Sequence, residues 1–311
     1  MKYISLGGRV EGSPFPPLDL DSTVVMTVDV EDYYMSPESV PFETWPSYPS
    51  AIHEGMERCW SLLEEYGAKA TFFFVGWLAE RYPELVAQTA EKGHEIATHT
   101  YNHDFVSSLD GSRFAASVRR SLEILRSLVP SQSITGCRAP AFSLERAKTW
   151  QFDILRENGI LYDSSINPHQ TYLYGDRSAP RHPYEWRGVV EMPPAAVEIA
   201  GARFPAGGGG TLRILPSFYL SWARLRYQAE GFPPVIYIHP WEFVPNHPPL
   251  DLPWKQRLIH RIGLYSVEKK TRAILESNRI LTMREYYALL KEARRCGTNG
   301  LNEDKRSQRM E

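Results

Sequence analysis

The sequence predicts an α/β protein of about seven strands, a barrel in preference to a doubly wound sheet. Two observations carry this expectation. Short apolar segments alternate with amphipathic helical ones, the pattern of a parallel sheet covered by helices. The polar residues able to do chemistry recur at the C-terminal ends of those segments, where the rim of a barrel gathers an active site.

Taken in order, residues 1–22 read as an irregular lead-in. Strands are expected at 24–30 (VVMTVDV), 70–76 (ATFFFVG), 94–99 (HEIATH), 134–138 (ITGCR), 160–164 (ILYDS), 189–192 (VVEM) and 235–239 (VIYIH). Between them, residues 51–66 place Ile52, Met56, Cys59, Leu63 and Tyr66 on one helical face, with Gly67 suited to the C-terminal cap. A helix over 83–92 starts at Pro83 and stops before Gly93, and 112–129 and 146–158 are helical, the latter ending before Gly159. The stretch RFPAGGGGTLRILPS precedes a helix over 216–229. Its glycines lack the Lys-Ser/Thr pair of a phosphate loop, so it reads as a flexible rim loop. Thr282-Met-Arg-Glu285 is a capping box for a last helix. One catalytic barrel over 23–293 follows, with a polar, disordered tail over 294–311.

Composition excludes several classes. The chain has 311 residues and a net charge of -2, which gives no overall electrostatic case for nucleic acid or an anionic membrane. Its three cysteines form no C-x-x-C pair and no disulfide framework. The N-terminal stretch holds no apolar run of signal-peptide length, and no segment reaches the ~18 apolar residues of a spanning helix, so a cytoplasmic protein without a transmembrane segment is expected.

The chemistry begins at TVDVEDYY, where an apolar strand runs into Asp29, Glu31 and Asp32. His99 and His103 stand four apart just after the third strand, so one helical turn would bring both imidazoles to one side. Two histidines and one carboxylate make a three-donor metal site with open positions. The spacing does not fit H-E-x-x-H. In GCRAPAF, Arg138 at a strand end can hold a carboxylate and keep it ionised. Asp163 ends another strand and could orient a histidine or cap a turn. His239 leaves an apolar strand at the rim, where Pro240 and Trp241 fix the turn; it suits a general acid.

In this order the motifs resemble the polysaccharide deacetylases, metal-dependent carbohydrate esterases, from about Val24 to Phe243. YIHPWEF, the glycine-rich segment and the C-terminal helices resemble the branch found beside bacterial exopolysaccharide and exosortase loci, which extends the coverage to about residue 293. The resemblance implies a distorted (β/α) barrel of about seven strands and hydrolysis of the acetamido group of an N-acetylated sugar. It implies His99 and His103 as metal ligands, Asp29 as base, Arg138 as the residue orienting that base, His239 as general acid and Asp163 as its support. Pro140, Phe142, Tyr237 and Trp241 are the expected sugar contacts. The family places two adjacent Asp residues in the opening motif; here Val30 intervenes. Strand alternation would make Glu31 the third ligand, whereas a strand that breaks after Val30 would leave the position to Asp32. The expected cofactor is a divalent metal, zinc first, and the partner an N-acetylated glycan. A cytoplasmic enzyme would meet that glycan as a precursor, such as a lipid-linked oligosaccharide at the inner membrane face. A cyclic-amide hydrolase of the allantoinase kind and an inactive carbohydrate-binding barrel are the competing readings.

Overall fold

The computed structural model describes residues 13–307 apart from Asp19, 36–39 and 172–173, with side chains up to Cys296. Its strands are β1 (Thr23–Val30), β2 (Thr71–Phe74), β3 (Glu95–Thr98), β4 (Gly136–Cys137), β5 (Tyr162–Asp163), β6 (Tyr184–Trp186), β7 (Val189–Glu191), β8 (Ala196–Ile199), β9 (Ala202–Pro205), β10 (Val235–Ile238) and β11 (Arg279–Leu281). Its helices are α1 (Ile52–Glu65), α2 (Gly76–Arg81), α3 (Pro83–Glu91), α4 (Gly111–Leu128), α5 (Thr149–Glu157), α6 (Gly210–Ile214), α7 (Ser217–Gln228), α8 (Trp254–Arg261), α9 (Leu264–Ser277) and α10 (Met283–Ser307).

The main sheet runs β10-β1-β2-β3-β4-β5-β7-β6, with β11 also beside β1. Every pairing in it is parallel except β6 with β7. The sheet curls until its ends nearly meet. Just past β7, the Ala195 amide donates to the Val235 carbonyl at 3.1 Å, and Pro194 bridges to Val235. Each of the seven segments expected as strands is a strand here, and together they form the distorted barrel.

Strand alternation sorts the side chains into two layers. On β1, Val24, Met26, Val28 and Val30 face outward into the layer beneath the helices. Val25 faces inward with Phe73, Ala97, Tyr162 and Val235. Continuing that inward register along β1 gives Thr27 and Asp29, and along β10 gives Tyr237 and His239. The apolar interior therefore ends in polar residues at one rim. The opposite end is plugged by α10, whose Met283, Tyr286 and Leu290 are buried in the inner cluster. That helix starts at the expected capping box: the Thr282 amide donates to Glu285 Oε2 at 2.7 Å, and the Glu285 amide donates to Thr282 Oγ1 at 3.2 Å.

Two expectations need correction. The helix α10 continues through residue 307, beyond the 293 boundary and into the stretch expected as a disordered tail; 308–311 lie outside the described residues, as do 1–12 of the lead-in. The glycine-rich segment is no loose loop. Gly207, Gly208 and Gly209 are buried and run along β10: the Tyr237 amide donates to Gly207 O at 2.8 Å and the Gly209 amide to Tyr237 O at 3.0 Å. The chain from 254 to 277 is helical, in two pieces broken at Gly263.

Gly208 has φ +145°, and a Cβ there would lie 1.9 Å from the Tyr237 carbonyl oxygen. Gly208→Ala is expected to lose about 1–3 kcal/mol of unfolding free energy, read by urea denaturation. A variant as stable as the wild type would show that this segment does not help close the barrel.

Candidate active site

The rim is organised around Arg138, which is fully buried. It follows β4, and its guanidinium crosses the barrel interior over the Phe73 ring at 4.4 Å. Its Nη1 donates to Asp29 Oδ1 at 2.6 Å and to Thr27 Oγ1 at 2.8 Å. Its Nη2 donates to Ser164 Oγ at 2.9 Å and its Nε to the Ser164 carbonyl at 3.2 Å. A buried cation needs such complete pairing, because removing one partner leaves an uncompensated charge. The Asp29 carboxylate is thereby fixed on one oxygen, with its other oxygen 4.0 Å from His239 Nε2.

His99 continues the inward register of β3. Its Nδ1 donates to the Arg138 carbonyl at 2.6 Å, which leaves Nε2 as a lone-pair donor toward the cavity. Burial, and then the nearby His103, push its pKa well below the ordinary range, so the ring is neutral. The two histidines do converge, with ring centroids 5.0 Å apart, but not through a helical turn. Thr100 and His103 adopt positive φ of 61° and 59°, and this irregular turn folds His103 back toward His99.

Glu31 completes the group. One donor atom from each of Glu31, His99 and His103 falls within a set spanning no more than 4.8 Å. Glu31 Oε2 lies 2.7 Å from His103 Nε2, and Oε1 lies 3.1 Å from His239 Nε2. Burial would raise the Glu31 pKa, but the surrounding histidines outweigh it and hold the carboxylate ionised. Strand β1 does end at Val30, yet the 29/31 alternation survives for one more residue. Asp32 points elsewhere. Its carboxylate accepts from Ser50 Oγ at 2.6 Å and from the Ala51 amide at 3.2 Å, where it satisfies the start of α1.

His239 is held from behind by a residue that the sequence reading passed over. Its Nδ1 lies 3.0 Å from Glu242 Oε2, and that oxygen also accepts from the His239 amide at 3.0 Å. Glu242 is fully buried, with Arg213 Nε 2.9 Å from its other oxygen. Burial alone would lower the His239 pKa; the carboxylates of Glu242, Glu31 and Asp29 overcome it and raise it to about 9. The signal was present in HPWEF, where a Glu three residues after the first turn residue is a capping-box pattern.

Asp163 does not support His239. Its carboxylate accepts from the Ser165 amide at 2.9 Å and from Ser165 Oγ at 2.7 Å. Ser165 Oγ in turn accepts from the Ala139 amide at 2.7 Å, so Asp163 braces the loop that carries Arg138. It stands opposite Glu191 across β5 and β7. Burial raises the pKa of both carboxyls. Burial, and then the Asp163 charge, hold Glu191 well above the usual carboxylate range.

The rim residues line a cavity of about 280 Å³. Phe142, Tyr237 and Trp241 form its aromatic wall. Pro140 is not on that wall. It is buried and opens a short 3-10 turn whose Ala141 and Phe142 adopt positive φ, aiming Phe142 at Tyr237 with centroids 5.0 Å apart.

Two segments of the chain match known families. Residues 35–159 match the sequence model of the polysaccharide deacetylases. Residues 164–288 match a second family, described only as a domain of unknown function (DUF3473). A peptidoglycan-N-acetylglucosamine deacetylase of Bacillus cereus is 43% identical over 63 residues, 17% of this chain and 30% of that protein. A chitooligosaccharide deacetylase of Sinorhizobium fredii is 32% identical over 79 residues, 25% of this chain and 37% of that protein. The chain thus spans well under half the length of these curated relatives. A Mycobacterium smegmatis structure assigned to the polysaccharide deacetylases superposes with a TM-score of 0.61 at 22% identity, covering 91% of this chain and 96% of that one, which establishes the shared fold. His99, His103, Arg138 and Asp29's strand partner β2 lie in or beside the segment of the deacetylase match, whereas His239 and Glu242 lie in the DUF3473 half.

The Asp163–Glu191 pair carries a sign that can be tested. A carboxyl whose pKa is raised on folding adds stability that is complete below its unfolded value and is lost as pH rises through the folded value. Glu191→Gln is therefore expected to lose less stability than the wild type between acid and alkaline pH, measured by denaturation across that range. Parallel pH dependence of the two proteins would contradict a raised Glu191 pKa.

Proposed function

We propose that this protein is a metal-dependent hydrolase that removes the acetyl group from an N-acetylated amino sugar. The observation that carries the reading is convergence on one cavity: three metal-type donors, a carboxylate fixed by a buried arginine, and a histidine held by a buried glutamate. The deacetylase names of the curated relatives support the same reaction class.

The donor set fits a divalent cation. His99 presents Nε2 because its Nδ1 is committed to a carbonyl, and Glu31 is ionised among imidazoles. Two nitrogens and one oxygen favour zinc over magnesium or calcium. Bound at Glu31, His99 and His103, such an ion supplies Lewis acidity toward an amide carbonyl and toward water. Asp29 takes the proton of the attacking water, with Arg138 holding it in orientation. His239, protonated at neutral pH, gives its proton to the departing sugar amine, and Glu242 stabilises the charge that it carries until then. Phe142, Tyr237 and Trp241 offer the sugar ring apolar faces. The resemblance of YIHPWEF and the glycine-rich segment to the exopolysaccharide-locus branch extends the reading to a glycan of exopolysaccharide synthesis, or its lipid-linked precursor.

Acetate release from N-acetylglucosamine oligomers tests this. Activity is expected to vanish with a chelator and return with zinc, and His99→Ala is expected to lose at least about 100-fold in kcat/KM. Full activity of His99→Ala with metal supplied would overturn the assignment.

A further inference from the structure

Among the described residues, twelve large apolar side chains are exposed, and their placement is not random. Eleven fall within two segments, 199–225 and 254–265, leaving Leu161 alone elsewhere. On α7, Phe218, Trp222 and Leu225 recur at helical spacing on the solvent side, with Phe218 78% exposed. On α8, Trp254 and Leu258, followed by Ile262, recur every fourth residue, with Trp254 67% exposed, and α8 buries none of its eight residues. A helix in this state is normally partnered.

The two segments are joined in space. Arg213 Nη1 donates to the carbonyls of Ile259 and His260 at 3.2 and 2.7 Å, and Lys270 Nζ donates to those of Leu212, Arg213 and Leu215. Gln256, Ile259 and His260 also line the catalytic cavity, so the apolar surface reaches its mouth.

Charge is equally segregated. No Asp or Glu occurs in 199–229 or in 252–267, in a chain with 37 acidic residues. The exposed Arg226, Lys255, Arg257 and Arg261 lie within these segments, and none of them forms an ion pair among the described residues. Exposed Trp, Tyr, Leu and Ile among unpaired cations is the chemistry of a helix lying in the interface of an anionic bilayer. A second copy of the chain fits poorly, because a two-fold interface would oppose these cations to themselves.

We propose that α7 and α8 dock on an anionic lipid surface and place the mouth of the cavity against it, so that the enzyme takes its N-acetylated sugar from a lipid carrier. The substrate part of this inference rests on the hydrolase reading above; the docking does not.

Sedimentation of the full chain with vesicles tests it, comparing phosphatidylglycerol-rich with pure phosphatidylcholine membranes. Wild type is expected to bind the anionic vesicles, more weakly at high salt. Phe218→Glu/Trp254→Glu, checked for an unchanged circular dichroism spectrum, is expected to lose about tenfold or more in partitioning. Both proteins should release acetate equally from a water-soluble oligomer, and only wild type should act efficiently on an N-acetylglucosaminyl lipid in those vesicles. Equal binding by both proteins, no binding by either, or a wild-type dimer that the variant dissociates would overturn the docking. Lack of acetate release from every substrate would instead overturn the hydrolase reading and leave the docking result standing.

Discussion

The ion pair between Arg138 and Asp29 is the constraint on which the rim depends. A guanidinium with no solvent exposure must be satisfied from all sides, and here it is satisfied by residues of β1 and by the chain leaving β5. Asp29 is thereby fixed in place at the end of an apolar strand. The same residue's carbonyl fixes the tautomer of His99. One arginine thus links the candidate base to a candidate ligand, and the Asp163–Ser165–Ala139 chain beneath it keeps that link in register.

The charges around the cavity follow from that pair. Asp29 is matched by Arg138, and Glu242 by Arg213. Glu31 has no guanidinium and is surrounded by imidazoles alone. Glu31 is the one carboxylate in the group of three donors and is held ionised, which suits a cation. Glu242 works in the opposite sense, keeping His239 positive although burial disfavours it. Two carboxylates within reach of one histidine divide the labour: one faces the donor group and the other stands behind the ring.

Much of the fold was legible, because seven apolar segments in a parallel sheet are hard to mistake. Their alternation also carried the inward register that gathers Asp29, Glu31, His99 and His239. What escaped had physical reasons. The His99–His103 convergence was read as a helical turn because spacing cannot show the positive φ at Thr100 and His103. Asp32 looked as eligible as Glu31 until its bonds to Ser50 and Ala51, some 19 residues on, were visible. Asp163 sits at a strand end like the other site residues, but its carboxyl is spent on the next turn. The net charge of -2 concealed two long acid-free stretches, since a sum over the chain erases where charges lie. The α8 helix was missed because its apolar residues face outward and give no core pattern.

The account turns on which acid at the end of β1 completes the group of donors. Calorimetric titration of the metal-free chain with zinc, for Glu31→Gln beside Asp32→Asn, measures this directly. The account predicts that Glu31→Gln weakens zinc binding by about 10–100-fold or more while Asp32→Asn binds like the wild type and loses only stability at the start of α1. Zinc binding lost in Asp32→Asn and kept in Glu31→Gln would contradict it.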